Sequence, residues 1–420
     1  MRTRTRLPLV LALVAASAVH AGVLEPGSPR QAGLSPRGLE ALSAELQGYV
    51  DAGRVAGSVA LVARNGKIAY HEAFGQRDRE AESPMQTDTI FRIASQTKAI
   101  VTAAVMTLQE QGLLSTSDPV GKYLPEYLET TVAVPVGDGD GYDIVPAARP
   151  ITVHDLLTHT SGFGYGTGVA EDRWREAGIQ GWYFAERSEP AAATVARMAS
   201  LPADAQPGAE WVYGYSTDIL GVLVEQVAGV PLDEYLDEHI LRPLGMTDTH
   251  FYLPPAKRDR LAAVYAAAEG GIVSAPESGG EGQGAYVDGP RMSLSGGAGL
   301  LSTAEDYARF LQMLLDGGEL DGRRILTRES VELMTSNQIG EMFFDDGESF
   351  GLGFYVVEDA EARSIPGSVG EFGWGGAYHS TYWVDPAEQL VVVYLTQLIP
   401  TGDIDDDEKL RERVYEAIVD

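Results

Sequence analysis

The 420-residue chain carries 61 acidic against 31 basic side chains, a net charge of −30, which sets it against nucleic acid and anionic membrane surfaces as partners. It contains no cysteine, so disulfides and thiolate metal sites are excluded. The length is ample for a sizeable core and for two lobes.

Residues 1–21 read as an address. Arg2, Arg4 and Arg6 form a basic head, residues 7–19 are apolar but too short to span a bilayer, and Val19-His20-Ala21 is a small-residue cleavage site. The expectation is an exported protein, periplasmic or extracellular, with no membrane anchor. Ser35-Pro36 then opens a helix with Leu39, Leu42, Leu46 and Val50 on one face. Residues 58–62 and 67–73 read as strands joined through Arg64-Asn65-Gly66, because Asn-Gly is the strongest short hairpin signal. An apolar helix runs from Ser95 to about Gln111.

The middle, residues 114–288, holds helical stretches at 152–158 and 219–227 between long polar loops, two of them glycine-rich at 136–142 and 269–289. Helices are expected again at 303–315 and 328–335, followed by strands at 353–357, 378–384 and 390–397. A terminal helix over 405–418 has acids in its first turn, as the macrodipole prefers. The implied fold class is α+β. An antiparallel sheet flanked by helices is built from both termini, residues 22–113 and 289–420, with an inserted all-helical lobe at 114–288 and the active site between them.

Three segments carry chemistry. In Ser95-Gln96-Thr97-Lys98 the two functional residues lie three apart, about 5–6 Å at Cβ on a helix face, so the amine reaches the hydroxyl. A serine nucleophile needs such a neighbour, and lysine serves as base only when its pKa is lowered, as burial does. A helix cap with a solvated lysine is the plain alternative. Lysine is scarce here, the set being Lys67, Lys98, Lys122, Lys257 and Lys409, and Ile93, Ala94, Ala99, Ile100 and Val101 surround Lys98 with apolar groups.

In the second segment, residues 207–216, a tyrosine at a loop-to-helix corner can relay a proton. Tyr213 and Tyr215 compete for that role, and an aromatic packing cluster is the alternative. The third, Glu371-Phe372-Gly373-Trp374-Gly375-Gly376-Ala377-Tyr378, is read as preceding a strand. Its glycines let a substrate lie on the backbone, and a strand-edge N–H can join that of Ser95 in holding an oxyanion; a bulge or tight turn is the alternative.

Other signals are weaker. His154 and His159 are five apart, off metal-binding spacing. Asp138, Asp140 and Asp143 form a calcium-like loop in which Tyr142 and Arg149 replace ligands, so a solvated acidic loop is expected. His379 is read as a strand-surface histidine. No cofactor and no metal is expected.

Taken together, Ser95-x-x-Lys98, Pro207-Gly208 with Tyr213 after it, and Trp374-Gly375-Gly376 before a late strand resemble the serine β-lactamase and penicillin-binding-protein-like superfamily, closest to its class C branch and to family VIII carboxylesterases. Leu156-Leu157-Thr158-His159-Thr160-Ser161-Gly162 and Gly296-Gly297-Ala298-Gly299-Leu300-Leu301-Ser302-Thr303 are similar to recurring phrases of that superfamily. The resemblance implies a β-lactamase/transpeptidase-like fold. It further implies Ser95 as acylated nucleophile, Lys98 and Tyr213 as proton-transfer pair, and the N–H groups of Ser95 and Ala377 as oxyanion hole. Trp374, Gly375, Gly376 and Tyr215 would contact substrate.

Two departures bear on substrate. Trp374-Gly375-Gly376 stands where β-lactamases carry Lys-Thr-Gly, so the cation that pairs a substrate carboxylate is missing, a contact of roughly 1.5–3 kcal/mol. Tyr215 stands where the Tyr-x-Asn form has asparagine. The expected function is a secreted serine hydrolase, a carboxylesterase cleaving short-chain acyl esters through a Ser95 acyl-enzyme, with a small-molecule ester as its partner. A β-lactamase or D-amino-acid peptidase acting on cell-envelope peptides is the alternative, and a non-catalytic binding protein of the same fold is a third.

Overall fold

A computed structural model describes residues 22–137, 141–343 and 346–419. The expected export signal, and Asp138 and Asp140 of the acidic loop, lie outside the described residues. Among those described, no helix is long and apolar enough to cross a membrane.

The main sheet runs, in spatial order, Glu25–Pro26, Lys67–Asp78, Gly57–Arg64, Leu390–Leu395, Ser380–Asp385, Phe372–Gly376, Tyr355–Val357 and Glu348–Phe350. Every neighbouring pair is antiparallel except the first, which is parallel. The two ends of the chain meet where Val59 faces Leu395 and Arg64 faces Leu390. The Asn65-Gly66 hairpin forms as expected, both residues at positive φ, 54° and 72°, which suits a tight two-residue turn.

Alternation along these central strands builds two cores. Ala60, Val62, Val392 and Tyr394 face the layer of Pro36–Asp51 and Asp406–Glu416, meeting Leu39, Leu42, Leu410 and Val414. Val59, Leu61, Ala63, Val391 and Val393 face the other way. There they share a core with Thr97–Glu110 and Ala304–Leu315. Thr97 through Leu108 are all buried, as expected for a helix apolar on every side. It also lies against Ser216–Ala228, whose Ile219, Leu220 and Leu223 join the same core.

The middle segment departs from a purely helical reading. Two small antiparallel ribbons, Thr131–Pro135 with Tyr142–Pro146 and Tyr265–Ala268 with Gly271–Ser274, enclose or begin the glycine-rich loops. The late strands also shift. Phe372–Gly376 is itself a strand, paired to Ser380–Asp385 from Phe372–Val384 to Gly376–Ser380, whereas the glycine triplet was read as preceding one. A glycine-rich segment has little intrinsic strand preference, so its pairing is imposed by its neighbours. His379 consequently lies in the connecting turn at φ 57°, not on a strand surface.

Candidate active site

Ser95 lies in a short 3-10 turn, Ala94–Gln96, that leads into Thr97–Glu110. Between residues 91 and 100 it alone is not buried. Ala94 before it has φ 42°, a strained conformation for a residue with a Cβ, worth on the order of 1–3 kcal/mol. Packing of Ala94 with Val264, Ala275 and Tyr378 holds that strain in place.

Lys98 is 2% exposed. Its Nζ donates to Ser95 Oγ at 3.2 Å, Tyr165 Oη at 3.2 Å and the Gly297 carbonyl at 2.8 Å. An ammonium has three N–H donors and no acceptor, so each proton has a partner. Burial, the largest single influence, favours the neutral amine, but Tyr165, Tyr213 and Asp218 together outweigh it and raise the pKa above that of an ordinary lysine. The expected desolvation of the amine is present, whereas the lowered pKa expected to follow from it is reversed by these neighbours. Apolar neighbours along the helix were visible in the sequence, whereas the phenols and the carboxylate arrive from other elements.

Asp218 and Gly297 complete this cation site. The buried Asp218 carboxylate accepts from Ser295 Oγ at 2.6 Å and from the Gly297 N–H at 3.1 Å, which aims the Gly297 carbonyl at Lys98. Burial raises the Asp218 pKa, the Ser295 hydroxyl opposing. Burial likewise raises the Tyr165 phenol, the Lys98 charge opposing.

The loop before Ser216–Ala228 delivers Tyr213. Backbone bonds from Gly208 N to Thr160 O, 2.7 Å, and from Val212 N to His159 O, 2.8 Å, tie that loop to residues 156–162. The Lys98 ammonium lies 4.6 Å from the centre of the Tyr213 ring, and the Tyr213 oxygen accepts from Trp374 Nε1 at 3.0 Å. His159 backs the same ring, centroids 4.7 Å apart. Burial and the nearby Lys98 charge hold its pKa well below the usual value, so it is a neutral wall. Among the described residues it belongs to no metal-ligating group.

Tyr215 is a correction. It is fully buried, stacked on Trp174 at 5.6 Å, with its hydroxyl donating to the Gly181 carbonyl at 2.8 Å. Both tyrosines precede the helix that begins at Ser216, and their contacts part them: Tyr213 meets Lys98 and Trp374, Tyr215 meets Trp174 and Gly181. It is placed to support the site from behind rather than to touch a substrate.

On the opposite flank, Trp374, Gly375, Gly376 and Ala377 are partly exposed. A Cβ on Gly376 would lie 2.6 Å from the Ile93 carbonyl oxygen and 2.5 Å from Ser380 Oγ, so only glycine lets this strand approach the serine turn so closely. Ala377, the next residue, packs in the cluster that contains Ala94. The strand end and the serine turn are thereby neighbours.

Trp374 belongs to an aromatic wall. Trp211 stacks on Tyr213 at 5.6 Å and meets Phe343 at 4.7 Å, while Phe350 lies 5.5 Å from both Trp211 and Trp374. Of the sequence candidates, Ser95, Lys98, Tyr213, Trp374, Gly375, Gly376 and Ala377 come together. Tyr165, Gly297, Asp218, Trp211, Phe343 and Phe350 were missed as site residues. Gly297 lay inside a quoted stretch, and the alternating glycines of Gly162-Phe163-Gly164-Tyr165-Gly166 were the one local sign that Tyr165 sits in a tightly turned loop.

Comparison with known proteins agrees with this geometry. A family model described as Beta-lactamase matches residues 42–416. Protein Rv1367c of Mycobacterium tuberculosis is 37% identical over 382 residues, covering 87% of this chain and 92% of its own. Esterase EstB of Burkholderia gladioli is 34% identical over 370 residues, covering 83% and 88%. Among solved structures, EstCE1, described as a hydrolase with promiscuous acyltransferase activity, superposes with TM-score 0.76 at 29% identity over 90% of this chain and 98% of its own.

Proposed function

The chain belongs to the beta-lactamase family, and from that premise we propose that this serine hydrolase is a carboxylesterase acting on uncharged, short-chain acyl esters through an acyl-enzyme on Ser95. The observation that carries the reading is Trp374. Where a carboxylate-binding relative would place a lysine, this chain places an indole that packs in an aromatic wall and donates its N–H to Tyr213. An ester has no carboxylate that needs a cation, and a flat apolar wall suits an acyl or alcohol group. His379, two residues past Ala377, is engaged with Asp406. The esterase name of EstB supports the same reading.

The chemistry follows from the resting contacts. Tyr213 acts as proton acceptor, its ring beside the Lys98 ammonium and its oxygen held by the Trp374 N–H. Ser95 Oγ attacks the ester carbonyl carbon and gives its proton to the Tyr213 oxygen, while the Ser95 and Ala377 N–H groups hold the oxyanion. Collapse breaks the carbon–oxygen bond to the alcohol, which leaves with the proton from Tyr213. Water then attacks the acyl-enzyme, Tyr213 takes its proton, and that proton returns to Ser95 as the acid departs. Lys98 stays an ammonium throughout. Residues 1–21 are read with this as an export signal, which N-terminal sequencing of the mature protein checks.

The test is paired turnover of p-nitrophenyl butyrate and a chromogenic cephalosporin by the mature protein, with Ser95→Ala as control. Fast ester cleavage, slow or absent lactam cleavage, and loss of both in the variant are expected. Efficient lactam cleavage would overturn the substrate assignment; ester cleavage surviving in Ser95→Ala would overturn the mechanism.

A further inference from the structure

The strand Phe372–Gly376 is gripped at both ends by one helix, Asp406–Glu416. At its start, the Glu371 carboxylate is fully buried. It accepts from Arg411 Nη1 at 2.9 Å on both oxygens, from Tyr415 Oη at 2.9 Å, from Arg363 Nη1 at 3.0 Å and from Tyr355 Oη at 2.8 Å. At its far end, His379 Nε2 bonds Asp406, also fully buried, whose second oxygen accepts from Tyr394 Oη at 2.5 Å. His379 is the αL residue of the turn that follows Ala377. The carbonyls of Tyr378 and His379 both accept from Thr396 Oγ1, at 3.0 and 2.5 Å.

These contacts do more than dock a helix. The apolar face of Asp406–Glu416 already joins the core through Leu410 and Val414, and apolar packing of similar volume would hold the helix about as firmly as buried ion pairs. What the charged pairs add is direction, because a charge-assisted hydrogen bond fixes where its donor points. A histidine at positive φ carries a backbone cost that surrounding contacts must offset, and here the Asp406 contact does so two residues beyond the Ala377 N–H.

We propose that the C-terminal helix is the positioning element of the oxyanion strand: Asp406 through His379, and Arg411 through Glu371, fix both ends of Phe372–Gly376 so that the Ala377 N–H stays aimed at the acyl oxygen. His379 and Asp406 are thus positioning residues that touch no substrate. The inference rests on the Ser95 acyl-enzyme reading above.

The experiment measures the second-order rate of Ser95 labelling by a fluorophosphonate, whose phosphoryl oxygen needs the same two N–H groups, together with kcat and KM for p-nitrophenyl butyrate per labelled site. The variants are His379→Asn, which tolerates the αL backbone but is too short to reach Asp406; His379→Gln, which restores reach; Asp406→Asn; and Asp403→Asn, in the exposed pair with Arg54, as control. Labelling rate and kcat are expected to fall about tenfold or more in His379→Asn, with KM within about twofold, partial recovery in His379→Gln and no change in the control. If Asp406→Asn does not fold, His379→Asn carries the test. Unchanged labelling and kcat per site in folded His379→Asn would overturn the proposal, even with a lowered melting temperature. Rapid labelling of the unmodified protein without ester turnover would instead sink the esterase reading and leave the labelling comparison to decide this one; no labelling at all would end both.

Discussion

Ser95, in the turn Ala94–Gln96, lies three residues before Lys98 on the buried helix that this turn leads into, whereas Trp374 sits on, and Ala377 just after, a short glycine-rich strand contacted by a helix that begins at Asp406. On the serine side, position is local: three residues of spacing and one close-packed core put the amine at 3.2 Å from the hydroxyl. On the strand side, position is long-range and ionic, and depends on residues far away in sequence. Each flank has a histidine at φ 57°, His159 behind Tyr213 and His379 after Ala377. The first is kept neutral by burial and the Lys98 charge, while for the second the Asp406 carboxylate prevails over burial and raises the pKa. The Ser95–Lys98 geometry is thus set within one turn of chain, whereas the position of Trp374 and Ala377 depends on contacts across the sheet.

The sharpest way to break that comparison is Lys98→Met, which removes the cation shared by Ser95, Tyr165 and Gly297. Ester kcat/KM is expected to fall on the order of 10⁴-fold or more, as when one member of a catalytic unit is lost, and steady-state kinetics on folded protein checks it. Next, Tyr213→Phe should cost about 10²–10⁴-fold in kcat, the range for a lost acid–base group. Tyr165→Phe, which removes one acceptor from the ammonium, should cost only about tenfold. The reverse ranking would move the proton-acceptor role to Tyr165.

On the strand side, Trp374→Lys supplies the missing cation. The ratio of cephalosporin to butyrate kcat/KM should rise about tenfold or more, the worth of one charge-assisted contact; an unchanged ratio would mean that the indole does not set substrate class.

The smallest effects separate the two histidines by pH. His159 is held below its unfolded pKa, so its contribution to stability is present above about pH 6.5 and lost as pH falls below it. His379 is held above, so its contribution is present below about pH 6.5 and lost as pH rises through its folded pKa. Each contributes a slope of at most about 1.4 kcal/mol per pH unit. In urea unfolding from pH 5 to 8, His159→Asn should flatten the acid-side fall and His379→Asn the alkaline-side one. Matching effects on the same side would refute the contrast.

Much of this was legible because the relevant signals were short-range. The Ser35 cap, the Asn65-Gly66 hairpin and the buried helix after Ser95 each follow from turn chemistry, periodicity or composition within a dozen residues, and the sheet made from both termini from the order of elements along the chain, strands at each end with helices between. Ser95 with Lys98 was visible for the same reason, and Tyr213 came from an ordered set of motifs rather than from any one of them. What failed had a common physical cause. The charge of Lys98 depends on Tyr165, Tyr213 and Asp218, which reach it from other elements, and desolvation alone, the part a sequence shows, has the opposite sign. The direction of Tyr215 depends on stacking against Trp174, which another helix, Glu171–Glu176, supplies.

The sequence by itself determined which residues can be nucleophile, cation and tyrosine, because spacing along a helix and turn residues act over a few bonds. Tertiary structure alone decided the protonation of Lys98, the turning of Tyr215 into the core, the strand character of Trp374-Gly375-Gly376 and the hold of Asp406 on His379. Those properties arise where elements distant in the chain share one buried, low-dielectric space, and there a neighbour's charge outweighs local preference.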